Sequence, residues 1–273
     1  MHEYQPKTLL DGLLFPECPR WRNGRLYFSD MHSGRVIALA PDGKTEDIVH
    51  VAGGPAGLGW RPDGEMLVVS MRDRRLLKAN LDVVAELGTF APFHCNDMVV
   101  DHSGRAYIGN FGFDLFGGEE PKPTCLLRVD TDGGVHVVAE NLFFPNGMAI
   151  ASDRQTLIVA QTFGHELTAF DIGEDGSLGG RRTFAALPGV YPDGICLDAE
   201  GEVWVTCPTA EETIRVREGG KITVRIPHPG RDSFACELGG IDSQQLFLCT
   251  AKSSRPDVVQ ASRSGRIEVV ELQ

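Results

Sequence analysis

A repeated unit of about 40 to 50 residues runs along this 273-residue chain and constrains its fold more than any other feature. Each copy contains, in this order, an apolar first strand, a short turn, an apolar second strand and a third strand. The turns are rich in Asn, Asp and Gly, which supply the left-handed backbone conformations of tight hairpins. Such a period with four strands per unit is typical of β-propellers. We therefore predict an all-β, six-bladed β-propeller with four antiparallel strands per blade, forming a single domain over residues 1–273.

The two ends of the chain also fit this architecture. The C-terminal segment RIEVVEL alternates like a strand, and YQPKTLL near the N-terminus reads as another. A propeller commonly closes by completing one blade with strands from both termini, which leaves no exposed sheet edge. No segment shows a sustained period of 3.6, which argues against a helical solenoid. We interpret residues 112–124 as an insertion within the third blade.

Composition narrows the range of partners. The formal net charge is −12 and no basic face is visible, so a nucleic-acid partner is not expected. No apolar run approaches the length of a membrane span, and the N-terminus lacks a secretory apolar region. The seven cysteines are scattered without a C-x-x-C pair, which favours a reducing compartment with buried thiols. We predict a cytoplasmic protein, monomeric or weakly homo-oligomeric, with a small-molecule substrate and no membrane partner.

The repeat brings residues that are remote in sequence to one mouth of the central channel, just before the first strand of each blade. Two carboxylates and two carboxamides among six positions are the oxygen ligands that a hard divalent cation prefers. Three protein oxygens would leave positions for water and substrate, as in catalytic sites. Because Asn-Asp, Asn-Gly and Asp-Gly also form turns, the pattern alone leaves both interpretations open. The six equivalent positions are Glu17, Ala56, Asn96, Asn146, Asp193 and Cys236.

Four short motifs carry a family resemblance: FPECPRW (15–21), ND (96–97), FPNGM (144–148) and PDG (192–194). Taken together, they resemble the SMP-30/gluconolactonase/LRE family of regucalcin-like lactonases over essentially the whole chain. The resemblance implies a six-bladed propeller that holds one divalent metal ion and hydrolyses a lactone. It also implies metal ligands at Glu17, Asn146 and Asp193, a catalytic acid/base role for Asp193, and substrate contact by Asn96.

The implied mechanism rests on charge. Metal polarisation of the lactone carbonyl would stabilise the developing oxyanion, and Asp193 would guide a water to the carbonyl carbon. All-oxygen ligation permits Ca²⁺, Zn²⁺, Mn²⁺, Mg²⁺ or Fe²⁺, and the sequence does not choose among them.

The third blade departs from the family pattern. The family's sugar lactonases typically carry an arginine two residues before Asn96, where this chain has His94. We predict that His94 contacts substrate in an altered pocket; a histidine satisfied within its own loop is the alternative. The surrounding loops are rich in phenylalanine, and a few of these rings are expected to line a pocket less polar than a sugar site. For the acidic residue that contacts sugar in the family, Asp114, Glu119 and Glu120 remain undistinguished candidates.

The expected function is therefore the opening of a sugar lactone or a less polar lactone. One alternative is a non-catalytic, calcium-binding or scaffold propeller, since propellers also present loops to protein partners. Another is a related propeller enzyme, either a hydrolase acting on linear esters or a Pictet-Spengler-type synthase.

Overall fold

The computed structural model describes residues 4–272 and contains six four-stranded antiparallel sheets. The innermost strand of each sheet contacts the innermost strand of the next, and the last contacts the first, so the six sheets close into a ring. This arrangement confirms the predicted six-bladed propeller.

Blades 1 to 3 follow one another along the chain, each running from its innermost to its outermost strand. Their strands are β2 (Pro16–Arg22), β3 (Arg25–Asp30), β4 (Arg35–Leu39), β5 (Thr45–His50), β6 (Pro55–Trp60), β7 (Met66–Ser70), β8 (Arg75–Lys78), β9 (Val83–Glu86), β10 (Cys95–Val100), β11 (Ala106–Asn110), β12 (Thr124–Val129) and β13 (Val135–Leu142).

Blades 4 and 5 have the same order, and blade 6 combines both ends of the chain. Their strands are β14 (Pro145–Ile150), β15 (Thr156–Gln161), β16 (Glu166–Ile172), β17 (Leu178–Ala186), β18 (Ile195–Leu197), β19 (Val203–Cys207), β20 (Glu212–Val216), β21 (Ile222–Pro227), β22 (Asp232–Gly239), β23 (Gln245–Ala251), β24 (Gly265–Glu271) and β1 (Lys7–Leu13). A short helix, α1 (Pro256–Ser262), and two 3₁₀ turns, Met31–Ser33 and Ile241–Ser243, complete the regular structure of the described residues.

The predicted closure is confirmed in blade 6. Strand β1 pairs antiparallel with β24, with Lys7 opposite Val269 and Leu13 opposite Gly265. The N-terminal strand is therefore the outermost strand of a sheet whose other three strands come from the C-terminal part of the chain. This pairing covers the edge that β24 would otherwise expose.

The second strands include the most completely buried strands of the fold. Every residue of β7 and of β19 is buried, because sheets of neighbouring blades cover both faces of these strands. In the outer strand β13 only one of eight residues is buried. This gradient explains why the second strands read as continuous apolar runs and the outer strands as mixed sequence.

The Asn-Gly and Asp-Gly pairs at the channel are not turns. Asn146 and Gly147 lie inside β14, and neither Gly147 nor Gly194 has a left-handed φ. A Cβ on Gly147 would lie 2.5 Å from the carbonyl oxygen of Asp193, and one on Gly194 would lie 2.5 Å from the Cα of Ala235. These glycines are required because adjacent innermost strands approach each other closely there.

Six of the seven cysteines are buried and none forms a disulfide; Cys125 is partly exposed. Within residues 4–272 no helix has both the length and the apolar character needed to cross a membrane.

Candidate functional site

A cavity of about 390 Å³ opens at one mouth of the central channel. Four of the residues predicted from the repeat, Glu17, Asn96, Asn146 and Asp193, lie together in its wall although they belong to four different blades. The full lining is Phe15, Glu17, Met31, Asn96, Phe111, Leu115, Phe116, Phe144, Asn146, Thr162, Phe163, Tyr191, Asp193, Pro208, Thr209, Phe234 and Ser254.

The sixth ring position is Phe234, and its assignment to Cys236 from the sequence was wrong. The amide of Gly147 donates to the carbonyl of Asp193, and the amide of Gly194 donates in the same way to the carbonyl of Phe234. Phe234 is therefore equivalent to Asp193, and Cys236 lies two residues deeper in the channel. The error arose because blade 6 has no Asn-Gly or Asp-Gly pair to mark the register, and a shift of two residues keeps a side chain on the same face of a strand.

A chain of hydrogen bonds joins the residues of the ring. The Asn96 amide Nδ2 donates to Oδ1 of Asn146 over 2.7 Å. Asn146 Nδ2 donates to the hydroxyl of Thr162 over 3.0 Å, and that hydroxyl donates to the carbonyl of Pro192 over 2.9 Å. The Asn96, Asn146 and Asp193 segments are thus held in a fixed mutual orientation across three blades.

Backbone strain marks the edges of this ring. Cys18 and Phe144 both have positive φ, 50° and 54°, which is unfavourable for residues with large side chains. At Cys18 the amide donates to Oε2 of the preceding Glu17 over 2.9 Å, which orients that carboxylate. At Phe144, immediately before Pro145 and Asn146, the ring becomes part of the cavity wall. Two positions of backbone strain therefore adjoin the proposed ligands Glu17 and Asn146.

Two acidic side chains in the cavity have strongly perturbed acidity. Burial raises the pKa of Glu17 well above its usual range, and the nearby charge of Asp193 raises it further. Burial, followed by the charge of Asp97, also raises the pKa of Asp193, which the amide of Asn146 partly offsets. The charge of Arg20 opposes the rise at Glu17, but less than burial and the charge of Asp193 promote it, so the positive charge near this pair compensates only in part.

A second layer of charged groups closes the channel beneath the ring. Arg20 Nη2 lies 2.9 Å from Oδ1 of Asp97, and Arg20 Nη1 lies 4.0 Å from Oε2 of Glu237. Asp97 also accepts a hydrogen bond from the amide of Met98 over 2.7 Å. Burial raises the pKa of Glu237 to about 7, although the charge of Arg20 opposes the shift. One guanidinium thus faces carboxylates from blades 3 and 6.

The donor set fits a hard divalent cation. Glu17, Asn146 and Asp193 present carboxylate and amide oxygens to one cavity whose lining includes no lysine or arginine. A cation there would relieve the unfavourable burial of two like charges. Among residues 4–272 no cluster of three or more His, Cys, Asp or Glu side chains could hold a metal, which is consistent with a set completed by a carboxamide.

The walls of the cavity are aromatic. Phe111 and Phe144 have ring centroids 4.4 Å apart, Phe144 and Phe163 stack at 6.0 Å, and Phe163 contacts Tyr191 edge-to-face at 5.8 Å. On the opposite side Phe15 packs edge-to-face on Phe234 at 4.8 Å. The polar groups are therefore concentrated at the ring, and carbon surface surrounds them.

His94 does not line the cavity. Its ring stacks on Phe93 at 4.1 Å and contacts the ring of Phe111. Phe111 also contacts Phe144 and so separates His94 from that part of the cavity wall. Its Nδ1 is buried without a hydrogen-bond partner, and burial, aided by the charge of Arg72, lowers its pKa. A neutral imidazole supports the aromatic wall from behind, while direct substrate contact by His94 stays a prediction.

The insertion, residues 112–124, contributes carbon rather than charge to the cavity. Leu115 and Phe116 line it, whereas Asp114, Glu119 and Glu120 do not. Asp114 accepts from the amide of Gly117 over 2.8 Å, and Glu119 accepts from the amide of Asp114 over 3.0 Å and from Lys122 over 3.1 Å. Two of the three acidic candidates are thus engaged within the loop itself.

Sequence reasoning missed several lining residues. Thr162 follows the second strand of blade 4, and Thr209 and Ser254 follow the second strands of blades 5 and 6. These positions share a signal that was available from the repeat, since the end of each second strand lies at the same mouth of the channel as the start of each first strand.

Comparisons with known proteins agree with this architecture. The family model described as "SMP-30/Gluconolactonase/LRE-like region" matches residues 15–252. The chain is 27% identical over 242 residues to the pentonolactonase XacC of Haloferax volcanii, covering 86% of this chain and 81% of that protein. It is 29% identical over 250 residues to a 6-deoxy-6-sulfogluconolactonase of Pseudomonas putida, covering 88% and 84%. The solved structure of a calcium-binding protein, regucalcin, from Agrobacterium tumefaciens superimposes with a TM-score of 0.81 at 20% identity, covering 99% and 96%.

Proposed function

This chain belongs to the SMP-30/gluconolactonase/LRE-like family, and from that premise we propose that it is a lactonase that requires one divalent metal ion. The lactonase names of the two sequence relatives support the reaction class. The observation that carries the proposal is the convergence of Glu17, Asn146 and Asp193 on one cavity whose lining residues include no lysine or arginine.

In this proposal Glu17, Asn146 and Asp193 hold the ion. When bound, a divalent cation polarises an ester carbonyl and stabilises the negative charge that develops on its oxygen. Glu17 is oriented by its hydrogen bond from Cys18, and Asn146 by Asn96 and Thr162. The protein therefore prepares the oxygens before any ligand arrives, which reduces reorganisation during the reaction.

Asp193 is proposed as the acid/base residue. Its side chain is only partly buried and lines the cavity, so a water molecule beside it can reach a bound carbonyl. The carboxylate accepts the proton of the attacking water and returns it to the ring oxygen as the ester bond breaks. In the metal-free protein, burial and then the charge of Asp97 raise the pKa of Asp193.

Asn96 is proposed to orient the substrate. Its amide uses one hydrogen to fix Asn146, which leaves a second amide hydrogen and the carbonyl oxygen for a ligand in the cavity. This role requires no rearrangement of the ring.

The test is a pH-stat assay of ester-ring opening. The purified protein is treated with a chelator and then supplied separately with Ca²⁺, Mg²⁺, Mn²⁺, Zn²⁺ or Fe²⁺, and acid release is recorded over a panel of sugar, alkyl and aryl lactones. We expect chelation to abolish turnover, one or more metals to restore it, and Asp193→Asn to lower kcat by about 10²- to 10⁴-fold.

Asp171→Asn is the matched control, since Asp171 is an exposed carboxylate of blade 4 that pairs with Arg182. It should retain full turnover. Metal binding without ring opening of any lactone would favour a non-catalytic propeller, and full activity in Asp193→Asn would overturn the proposed role of that residue.

A further inference from the structure

The lining of the cavity carries information about the substrate beyond its ester group. Apart from the ring residues and Thr162, which is bonded to Asn146, only Thr209 and Ser254 provide polar side chains at the wall, together with the hydroxyl of Tyr191. The remaining surface comes from phenylalanine, leucine, methionine and proline. A polyhydroxylated ligand would leave several hydroxyl groups without partners there, and burying unpaired hydroxyls is unfavourable.

Away from the proposed metal ion, the lining offers no positively charged side chain to an anionic substituent. The lining residues include no lysine or arginine. Arg20 is bound to Asp97 and to the carbonyl of Pro19. A carboxylate, sulfonate or phosphate on the part of the substrate that faces the aromatic wall would therefore be desolvated without a charged partner.

The insertion strengthens the same conclusion. Leu115 and Phe116 of residues 112–124 are half-buried at the cavity wall, while the polar side chains Asp114 and Glu119 bind within the loop. The loop therefore adds apolar surface to the cavity, while Asp114 and Glu119 stabilise the conformation of the loop itself.

We propose that the substrate is a neutral lactone with an apolar alkyl or aryl substituent, which packs on the wall formed by Leu115, Phe116, Phe144 and Phe163. This inference rests on the proposed lactonase function and specifies its substrate class. The ester group lies at the ring of oxygen donors, and the substituent extends along the aromatic wall toward the insertion. The 112–124 loop is then the specificity-determining element of the site.

The test compares kcat/KM over γ-lactones that carry no substituent, a methyl, a butyl or a hexyl group, and over D-glucono-1,5-lactone. Each methylene buried against the wall should raise kcat/KM by roughly threefold to fourfold until the cavity is filled. The sugar lactone should be about 100-fold poorer than the best alkyl lactone, the size of discrimination typical of a hydrophobic pocket against added hydroxyls.

Phe116→Ala should reduce the gain per methylene, because it removes part of the wall. Phe143→Ala is the control, since Phe143 is an exposed ring immediately before Phe144 that does not line the cavity. It should leave the dependence on chain length unchanged. Equal kcat/KM for all chain lengths, or a preference for the sugar lactone, would overturn the inference while leaving lactonase activity intact.

A binding measurement keeps the inference testable even if no lactone is turned over. Calorimetric titration with 5-alkyl-2-pyrrolidones, lactams that resist hydrolysis, should show affinity rising with chain length by a similar factor in the wild-type protein. Affinity that does not depend on chain length would contradict the inference. Loss of ring opening across every lactone and metal would instead contradict the proposed function alone.

Discussion

At the scale of single residues, the site is dominated by carboxylates that are buried, so that water solvates their negative charge poorly. Glu17 and Asp193 share one cavity, and Asp97 and Glu237 lie below them around Arg20. Each raised pKa is a statement about stability, because the folded protein holds the proton more tightly than the unfolded chain does. The charged forms of Glu17, Asp193 and Glu237 therefore lower the free energy of unfolding in the metal-free protein.

Glu237 provides a measurable case. Its pKa is raised from 4.5 to about 7, mainly by burial. The unfolded chain loses this proton near pH 4.5, so stability falls as pH rises from there through about 7. Glu237→Gln should remove this dependence. The free energy of unfolding of the variant, compared with wild type, should therefore be about 3 kcal/mol more favourable at pH 8 than at pH 4.

Denaturant unfolding at several pH values measures this difference. Glu271→Gln, at an exposed carboxylate of the same blade, should follow the wild-type curve. An unchanged pH dependence in Glu237→Gln would show that this carboxyl is not the group whose ionisation costs stability.

Thr162 is proposed to position the side chain of Asn146. Its hydroxyl accepts from Asn146 and donates to Pro192, so Thr162→Val leaves both groups without their partner. Supporting groups of this kind change metal affinity by about 10- to 100-fold. We expect Thr162→Val to weaken Ca²⁺, Mn²⁺ or Zn²⁺ binding by about tenfold in calorimetric titrations, with the fold retained.

Thr213→Val is the control for Thr162→Val, because Thr213 is a buried threonine of blade 5 that does not line the cavity. Its metal affinity should match that of wild type. Equal metal affinities in both variants would contradict the proposed positioning of Asn146 by Thr162.

The residue scale also shows where prediction from sequence succeeds. The repeat alone brought Glu17, Asn96, Asn146 and Asp193 to one place, because equivalent positions of a propeller converge. It failed at Phe234, since no Asn-Gly or Asp-Gly pair marked the register of β22. It also could not predict which way the His94 side chain points. Whether a loop side chain turns into a cavity depends on packing that no local pattern encodes.

At the scale of elements, the strands follow from local sequence and the site from their ends. Second strands could be predicted because burial on both faces makes them continuously apolar, as in β7 and β19. The 112–124 segment could be recognised as an insertion, but its side-chain directions could not be predicted. Leu115 and Phe116 turn inward, whereas the Asp114 side chain accepts from the amide of Gly117 and the Glu119 side chain accepts from the amide of Asp114. Those contacts depend on the loop closing on itself.

Strand β1 is the element whose contribution is easiest to test. Most of its side chains are exposed, and Leu13 is its fully buried member, at 4% exposure, whereas Leu9 is 44% exposed. Leu13→Ala should lower the free energy of unfolding by about 2–4 kcal/mol, because it leaves a cavity in the apolar cluster between blades 1 and 6. Leu9→Ala in the same strand should change it by less than about 0.5 kcal/mol.

Chemical denaturation of both variants distinguishes the two effects. A small effect of Leu13→Ala, equal to that of Leu9→Ala, would indicate that β1 does not contribute to the closed ring in solution.

At the scale of the whole molecule, closure of the ring is what creates the site. Six innermost strands meet around one channel, so four polar residues separated by as many as 176 positions, from Glu17 to Asp193, share a cavity. The net charge of −12 is consistent with a molecule that attracts cations, and burial at the channel mouth raises the pKa of both Glu17 and Asp193. The fold, the charge and the aromatic wall are the observations on which the proposed cation site and the proposed neutral ester substrate rest.

The most direct measurement is the anomalous diffraction of crystals grown with Mn²⁺, recorded on the low- and high-energy sides of the manganese absorption edge. We predict one strong difference peak at the channel mouth, about 2.0 to 2.6 Å from oxygens of Glu17, Asn146 and Asp193. A cavity without such a peak, or manganese bound only at surface carboxylates, would contradict the proposed metal site.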